Sequence, residues 1–300
     1  MNQTWSVIVE PSEPVPITNL SVMITEGLSP AFPITRAYEM NLMNSNWTQF
    51  ILEQARVNKK ELQGTTDESV YYGLIKRVAS ISSMLRLNNA SLESDELTLE
   101  LAITNFKDYI GTTQSALIDP EFREQLMQAG VEDQGDPSFY FANPLATCVN
   151  IVTSDGLVPV GMRSDKVAIY PNVPHVIGGY VKVNGDNNPN FKVADIDLYN
   201  NMLKELREEL GVSEDQLSSI DFRGIVRNNI TQGPEMVFNA IINLTGDELL
   251  ANWSSNSRDR FEHRNITMYN RADLVKFLEQ WSGLMVPSGE AALRLYLKHD

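Results

Sequence analysis

Apolar and polar positions alternate over residues 5–9 and 96–103, and an apolar run covers 20–24, so these three stretches predict strands. Trp47, Ile51, Leu52 and Ala55 recur at helical spacing and predict a helix over 47–57. Phe106, Tyr109 and Ile110 suggest a short helical turn ended by Gly111. Residues 130–138, GVEDQGDPS, concentrate acid, Gly and Pro and mark the best domain boundary, which divides the chain into 1–137 and 138–300. Beyond it, 145–153, 157–162 and 173–183 read as strands, the first two joined as a hairpin by Ser154-Asp155-Gly156. A loop at 185–190 and a helix at 194–210 follow, then strands at 219–229, 235–244 and 266–269 and helices at 272–281 and 288–298. No internal repeat or low-complexity tract interrupts this order.

The helix over 194–210 stands apart. Leu198, Met202, Leu206 and Leu210 repeat every four residues and give it a buried stripe. Glu205, Glu208 and Glu209 fall at i, i+3 and i+4, so their carboxylates share neighbouring parts of another face. Gly211 then ends the helix. Acids in the last turns meet the negative end of the helix dipole and repel one another, a poor choice for stability alone. A solvated acidic face is the bland account. A divalent cation would resolve the conflict, because clustered carboxylate oxygens suit hard ions such as Mg²⁺.

Charge and cysteine content narrow the classes. A net charge of −15 argues against general affinity for nucleic-acid backbones or anionic membranes. One cysteine, Cys148, excludes an internal disulfide and any multi-thiolate zinc site within the chain. The N-terminus lacks the basic and apolar regions of a signal peptide, and no apolar stretch approaches the ~20 residues that span a bilayer. The expected setting is the cytoplasm.

Residues 204–212, KELREELGV, resemble the second half of the Nudix box, Arg-Glu-U-x-Glu-Glu-x-Gly-U with U aliphatic, and depart from it only at Lys204. A Gly-Gly strand precedes that helix in the family, and Gly178 and Gly179 supply it here. The first half of the box is abnormal. Asn190 and Ile196 stand where the family has a glycine and a glutamate, GDNNPN at 185–190 looks inserted, and only Asp195 and Asp197 lie near the missing acid. Insertion and degenerate box together resemble the Nudix branch with an N-terminal extension that hydrolyses UDP-glucose and UDP-galactose. Residues 101–115, 140–164, the approach to Gly178 and 224–229 also resemble that branch, in the right order.

The resemblance implies an α+β fold, an α/β/α sandwich with a mixed sheet between helices over 138–300, preceded by a smaller α+β domain over 1–137. It implies Mg²⁺, or Mn²⁺, held by Glu205, Glu208 and Glu209, with Glu208, Glu209 and Lys204 as catalytic residues and a small nucleoside diphosphate as substrate. A UDP-sugar would yield UMP and sugar 1-phosphate. Lysine at 204 keeps the charge of the family's arginine and loses its planar fork. Arg163, Arg223 and Arg227, on strand ends, are candidate phosphate contacts, and ordinary surface arginines are the alternative. Glu235 could act as general base or be a solvated strand-end acid. Gly178 and Gly179 either let the pyrophosphate approach the backbone or permit a bend. Tyr71, Tyr72 and Phe106 either stack on a base or belong to the core, and His175, His263 and His299 show no metal-ligand spacing. An ADP-ribose or dinucleotide hydrolase, and a weakened Nudix domain that binds a nucleotide or a protein, are the competing readings.

Overall fold

The structure is a computed structural model that describes residues 3–27, 36–61, 83–165, 167, 169–181 and 196–299. The expected loop at 185–190, the aromatics Tyr71 and Tyr72, and residues 194–195 at the start of the predicted glutamate helix lie outside the described residues.

The chain order is β1 (Trp5–Val9), β2 (Val15–Pro16), β3 (Ser21–Glu26), α1 (Ala37–Glu61), β4 (Ser83–Glu93) and β5 (Glu96–Asn105), then short helical turns up to α2 (Pro120–Gln134). Next come β6 (Ala146–Val152), β7 (Val158–Arg163), β8 (Pro174–His175), β9 (Ile177–Tyr180) and α3 (Leu198–Leu210). The chain finishes with β10 (Leu217–Asn228), β11 (Pro234–Ile242), α4 (Gly246–Asn256), β12 (His263–Tyr269), α5 (Arg271–Trp281) and α6 (Pro287–His299).

The main sheet runs β1-β10-β11-β6-β9, with β2 also paired to β10. It is mixed: β11 and β6 are parallel, while β1, β10 and β9 join antiparallel. Alternation along its strands divides two cores. Val149 and Ile151 of β6 and Met236, Phe238 and Ala240 of β11 pack with Met202, Leu206 and Leu210 of α3. Cys148 and Val237 point the other way, among Leu293 and Leu295 of α6 and Leu274 of α5. Helices on both faces of a mixed sheet make the α/β/α sandwich.

Two smaller sheets flank it, β12-β7-β8 and β3-β5-β4. Leu85, Leu87, Leu97, Leu99 and Leu101 of β4 and β5 belong to the same core as α3. The segment entering β6 pairs with β4 through Leu145 N–H to Leu85 O, 2.7 Å, and Leu87 N–H to Asn143 O, 3.1 Å.

Several local expectations change. The turn after β6 forms, with Gly156 N–H bonded to Thr153 O at 2.9 Å, but the hairpin does not. Both edges of β6 are taken by β11 and β9, so β7 leaves to pair with β12 and β8. The single strand expected over 173–183 is, over its described residues up to 181, two short strands in different sheets. Gly111 lies inside a helical turn rather than ending it, against the backbone of Met43, where a Cβ would sit 3.2 Å from the carbonyl oxygen. Gly130 stays within α2, which ends at Gly135 with φ 73°. In α1 the inward stripe is Met43, Trp47 and Phe50, while Leu52 is 52% exposed.

Candidate active site

Helix α3 starts at Leu198 because the Asp197 carboxylate accepts the N–H of Asn200, 2.9 Å away. Gly211, at φ 70°, closes it by donating back to Arg207 and Leu206 carbonyls. Asp197, one of two acids near the missing box glutamate, is thus spent as a cap.

The crowded carboxylates find protein partners. Arg258 Nη1 lies 3.0 Å from Glu208 Oε1. Glu209 Oε2 meets His263 Nε2 at 2.7 Å, and its Oε1 accepts the N–H of Gly178 at 3.1 Å. The helix's last carbonyls are covered as well: Ser257 Oγ donates to Glu209 O at 2.6 Å, Asp259 N–H to Glu208 O at 2.8 Å, and Asn252 to Gly211 O at 2.7 Å. Much of the electrostatic conflict is therefore settled without a cation.

Glu205 faces elsewhere. Its carboxylate lies against Gly179 of β9, so that a Cβ at 179 would collide with it. Both residues line a cleft of about 220 Å³ shared with Arg163, His175, Gly178, Glu235 and Glu262. Tyr170, Tyr180, Asn228 and Thr231 add hydroxyl and amide groups to its wall. Asn228 Nδ2 donates to Tyr170 Oη at 3.0 Å, and Tyr180 Oη donates to Tyr109 Oη at 2.8 Å.

Burial dominates the electrostatics of this cleft. It pushes the Glu262 carboxyl up, helped by the charge of Glu209. It also pushes Glu235 up, against the pull of Ser288, Cys148 and Arg163. The same desolvation drives His175 well down, with Arg163 and His263 adding to it, and brings Tyr170 to about 12.

The sequence-derived candidates separate into groups. Glu205, Gly178, Gly179, Arg163 and Glu235 meet at the cleft. Glu208 and Glu209 lie beside it at the end of α3, bound to Arg258 and His263. Lys204 is half-buried on the same helix, one residue before Glu205. Arg223 is 4% exposed in the middle of β10, 3.7 Å from Asp221. Arg227 is half-buried on the same strand, drawn down by burial and up by Asp136. Phe106 sits between Phe50 and Tyr109 in an aromatic row and takes the core alternative. His263, Glu262, Arg258 and Tyr170 carry no local spacing that links them to α3, and the sequence offered no signal for them.

The box carboxylates are all-oxygen donors, and Mg²⁺ needs only one or two of them beside phosphate and water. In kind they fit a hard cation, with Glu205 placed at the cleft. Among the described residues, the three do not close into a common ligand cluster; the group of three donors that does, within 4.8 Å, is Cys148, His175 and Glu235.

A Gly-Gly strand of a mixed sheet set against a glutamate helix, inside an α/β/α sandwich, resembles the arrangement of the Nudix hydrolases. The chain is similar to the uridine diphosphate glucose pyrophosphatase NUDT22 of Mus musculus, 27% identical over 230 residues that cover 71% of this chain and 72% of that one. The Homo sapiens protein of the same name is 26% identical over 227 residues, covering 70% and 73%. No protein-family model matches. Among solved structures, the MutT protein from Methanosarcina mazei Go1 aligns over 52% of this chain and 94% of that one, at 17% identity and a TM-score of 0.35, too distant to bear on function. No helix among the described residues is long and apolar enough to cross a membrane.

Proposed function

We propose that this protein cleaves the pyrophosphate of a nucleoside diphosphate sugar, with UDP-glucose or UDP-galactose giving UMP and sugar 1-phosphate. The observation that carries the reading is Glu205 against Gly179 on the wall of one cleft, which puts a box carboxylate where only a bare backbone stands opposite. The relatives named for UDP-glucose support uridine as the base and glucose as the sugar.

In this reading Glu205, Glu208 and Glu209 would hold Mg²⁺ or Mn²⁺, which would neutralise phosphate charge and activate water. The chain's own groups do the rest. Arg163 is a cation at the cleft and takes a phosphate oxygen. Gly178 and Gly179 let the diphosphate approach the strand, and the Gly178 N–H steadies Glu209. His263 fixes the other oxygen of Glu209, and Arg258 does the same for Glu208. Tyr170 and Asn228 offer hydrogen bonds to the nucleoside. Glu235, expected as a general base, lies on the Cys148 side of the cleft.

A weakened nucleotide-binding domain is the second reading, favoured by Glu208 and Glu209 being occupied with Arg258 and His263. Product analysis decides between them. With Mg²⁺, the protein is incubated with UDP-sugars, ADP-ribose and dinucleoside polyphosphates. UMP from UDP-sugars, reduced at least ~100-fold by Glu205→Gln, is the expected result. No turnover of any substrate would overturn the enzyme reading, and preference for ADP-ribose would keep the chemistry and change the branch.

A further inference from the structure

We propose that Cys148, His175 and Glu235 form a binding site for one borderline divalent cation of the zinc class, separate from the carboxylates of α3. The three donors come from β6, β8 and β11, far apart in sequence, yet one ligand atom from each lies within 4.8 Å of the other two. A tetrahedral zinc shell needs its donors roughly 3.5 Å apart, so side-chain adjustments of about 1 Å would complete it.

Two further features point to a cation. His175 is buried, with 7% exposure, and its Nδ1 has no hydrogen-bond partner among the described residues. Gly289, in the first turn of α6, makes room for that ring: a Cβ there would stand 2.5 Å from Nδ1. The thiol belongs to the apolar core of Val176, Val226, Val237 and Leu274, and the half-buried Glu235 brings a carboxylate to its edge from the cleft.

The donor set chooses the ion. Thiolate and imidazole favour Zn²⁺ over Mg²⁺, whereas the all-oxygen set on α3 favours the reverse. Three protein ligands leave a fourth position. Since His175 and Glu235 line the cleft, water or a phosphate oxygen can reach that position.

The single cysteine makes the test specific. Chelator-treated full-length protein is titrated with Co²⁺ and followed by near-ultraviolet absorption. A thiolate-to-cobalt charge-transfer band, saturating at one equivalent, can arise only from Cys148. We expect that band in the wild type, its bleaching by Zn²⁺ but not by excess Mg²⁺, its loss in Cys148→Ser, and its persistence in Glu208→Gln. Glu235→Gln should weaken cobalt binding at least about tenfold. The wild-type spectrum does not depend on whether a variant folds. No band there, or a band removed as readily by Mg²⁺ as by Zn²⁺, overturns the proposal whatever the outcome of the UDP-sugar assay.

Discussion

At the scale of single residues, Gly178 and Gly179 are neighbours with different duties. A Cβ at 178 would meet the backbone oxygen of Thr147, which cannot move without breaking the β6–β9 pairing. At 179 it would meet the end of the Glu205 side chain, which can swing away. Gly178→Ala should therefore lower stability by about 1–3 kcal/mol in urea unfolding. Gly179→Ala should leave the unfolding midpoint nearly unchanged while it displaces Glu205 and lowers turnover of whichever substrate the panel identifies. His263 is the third informative residue. Glu209 is 3% exposed, so His263→Ala leaves a buried carboxylate still held by the Gly178 N–H but stripped of its imidazole partner. The expected loss is about 2 kcal/mol, read from the same unfolding curves.

Single elements show where local sequence is a reliable guide. Trp5–Val9, the strand from Glu96 and the stop of α3 at Gly211 follow directly from alternation and from glycine's access to positive φ. The turn at residues 154–156 is equally local, but the pairing of its flanking strands is not, because competition for the edges of β6 decides it. Asp155 also ties that turn to α4. Its Oδ1 accepts from Thr153 Oγ1 at 2.6 Å and from the Gly246 N–H at the start of the helix, 3.0 Å away. These bonds, the Thr153 hydroxyl first, hold its carboxyl below the usual aspartate value. Since the folded value is depressed, the contribution is present above the unfolded pKa of about 3.9 and is lost as pH falls through the folded one. Asp155→Asn should flatten that acid limb when stability is followed from pH 5 downward. The Thr245–Glu248 capping box on α4 gives a simpler expectation: Thr245→Ala costs about 1 kcal/mol.

Across the whole molecule, the halves are tied by more than one connection. β1 and β2 pair with β10, β4 pairs with the approach to β6, and the buried Arg86, brought down to about 10 by desolvation, donates to the carbonyls of Phe139 and Phe141. An aromatic row from Trp47 through Phe50, Phe106 and Tyr109 reaches Tyr180 at the cleft. We propose 1–137 and 138–300 as the chain's two domains, with β1 and β2 as strands the first lends to the second. Residues 138–300 expressed alone should then expose the β10 edge and unfold at lower urea than the full chain, with a tendency to self-associate.

What the sequence alone determined is the set of local periodicities: the strands, the apolar stripe of α3, its glycine stop and the spacing of Glu205, Glu208 and Glu209. Each rests on interactions within a few residues, so each is written in a short window. The tertiary structure decided which carboxylate faces the cleft, which ones His263 and Arg258 hold, and that Cys148, His175 and Glu235 meet. Those contacts depend on strand pairing across tens of residues, Glu209 with His263 across 54 of them, and no local pattern encodes which sheet edges are left open.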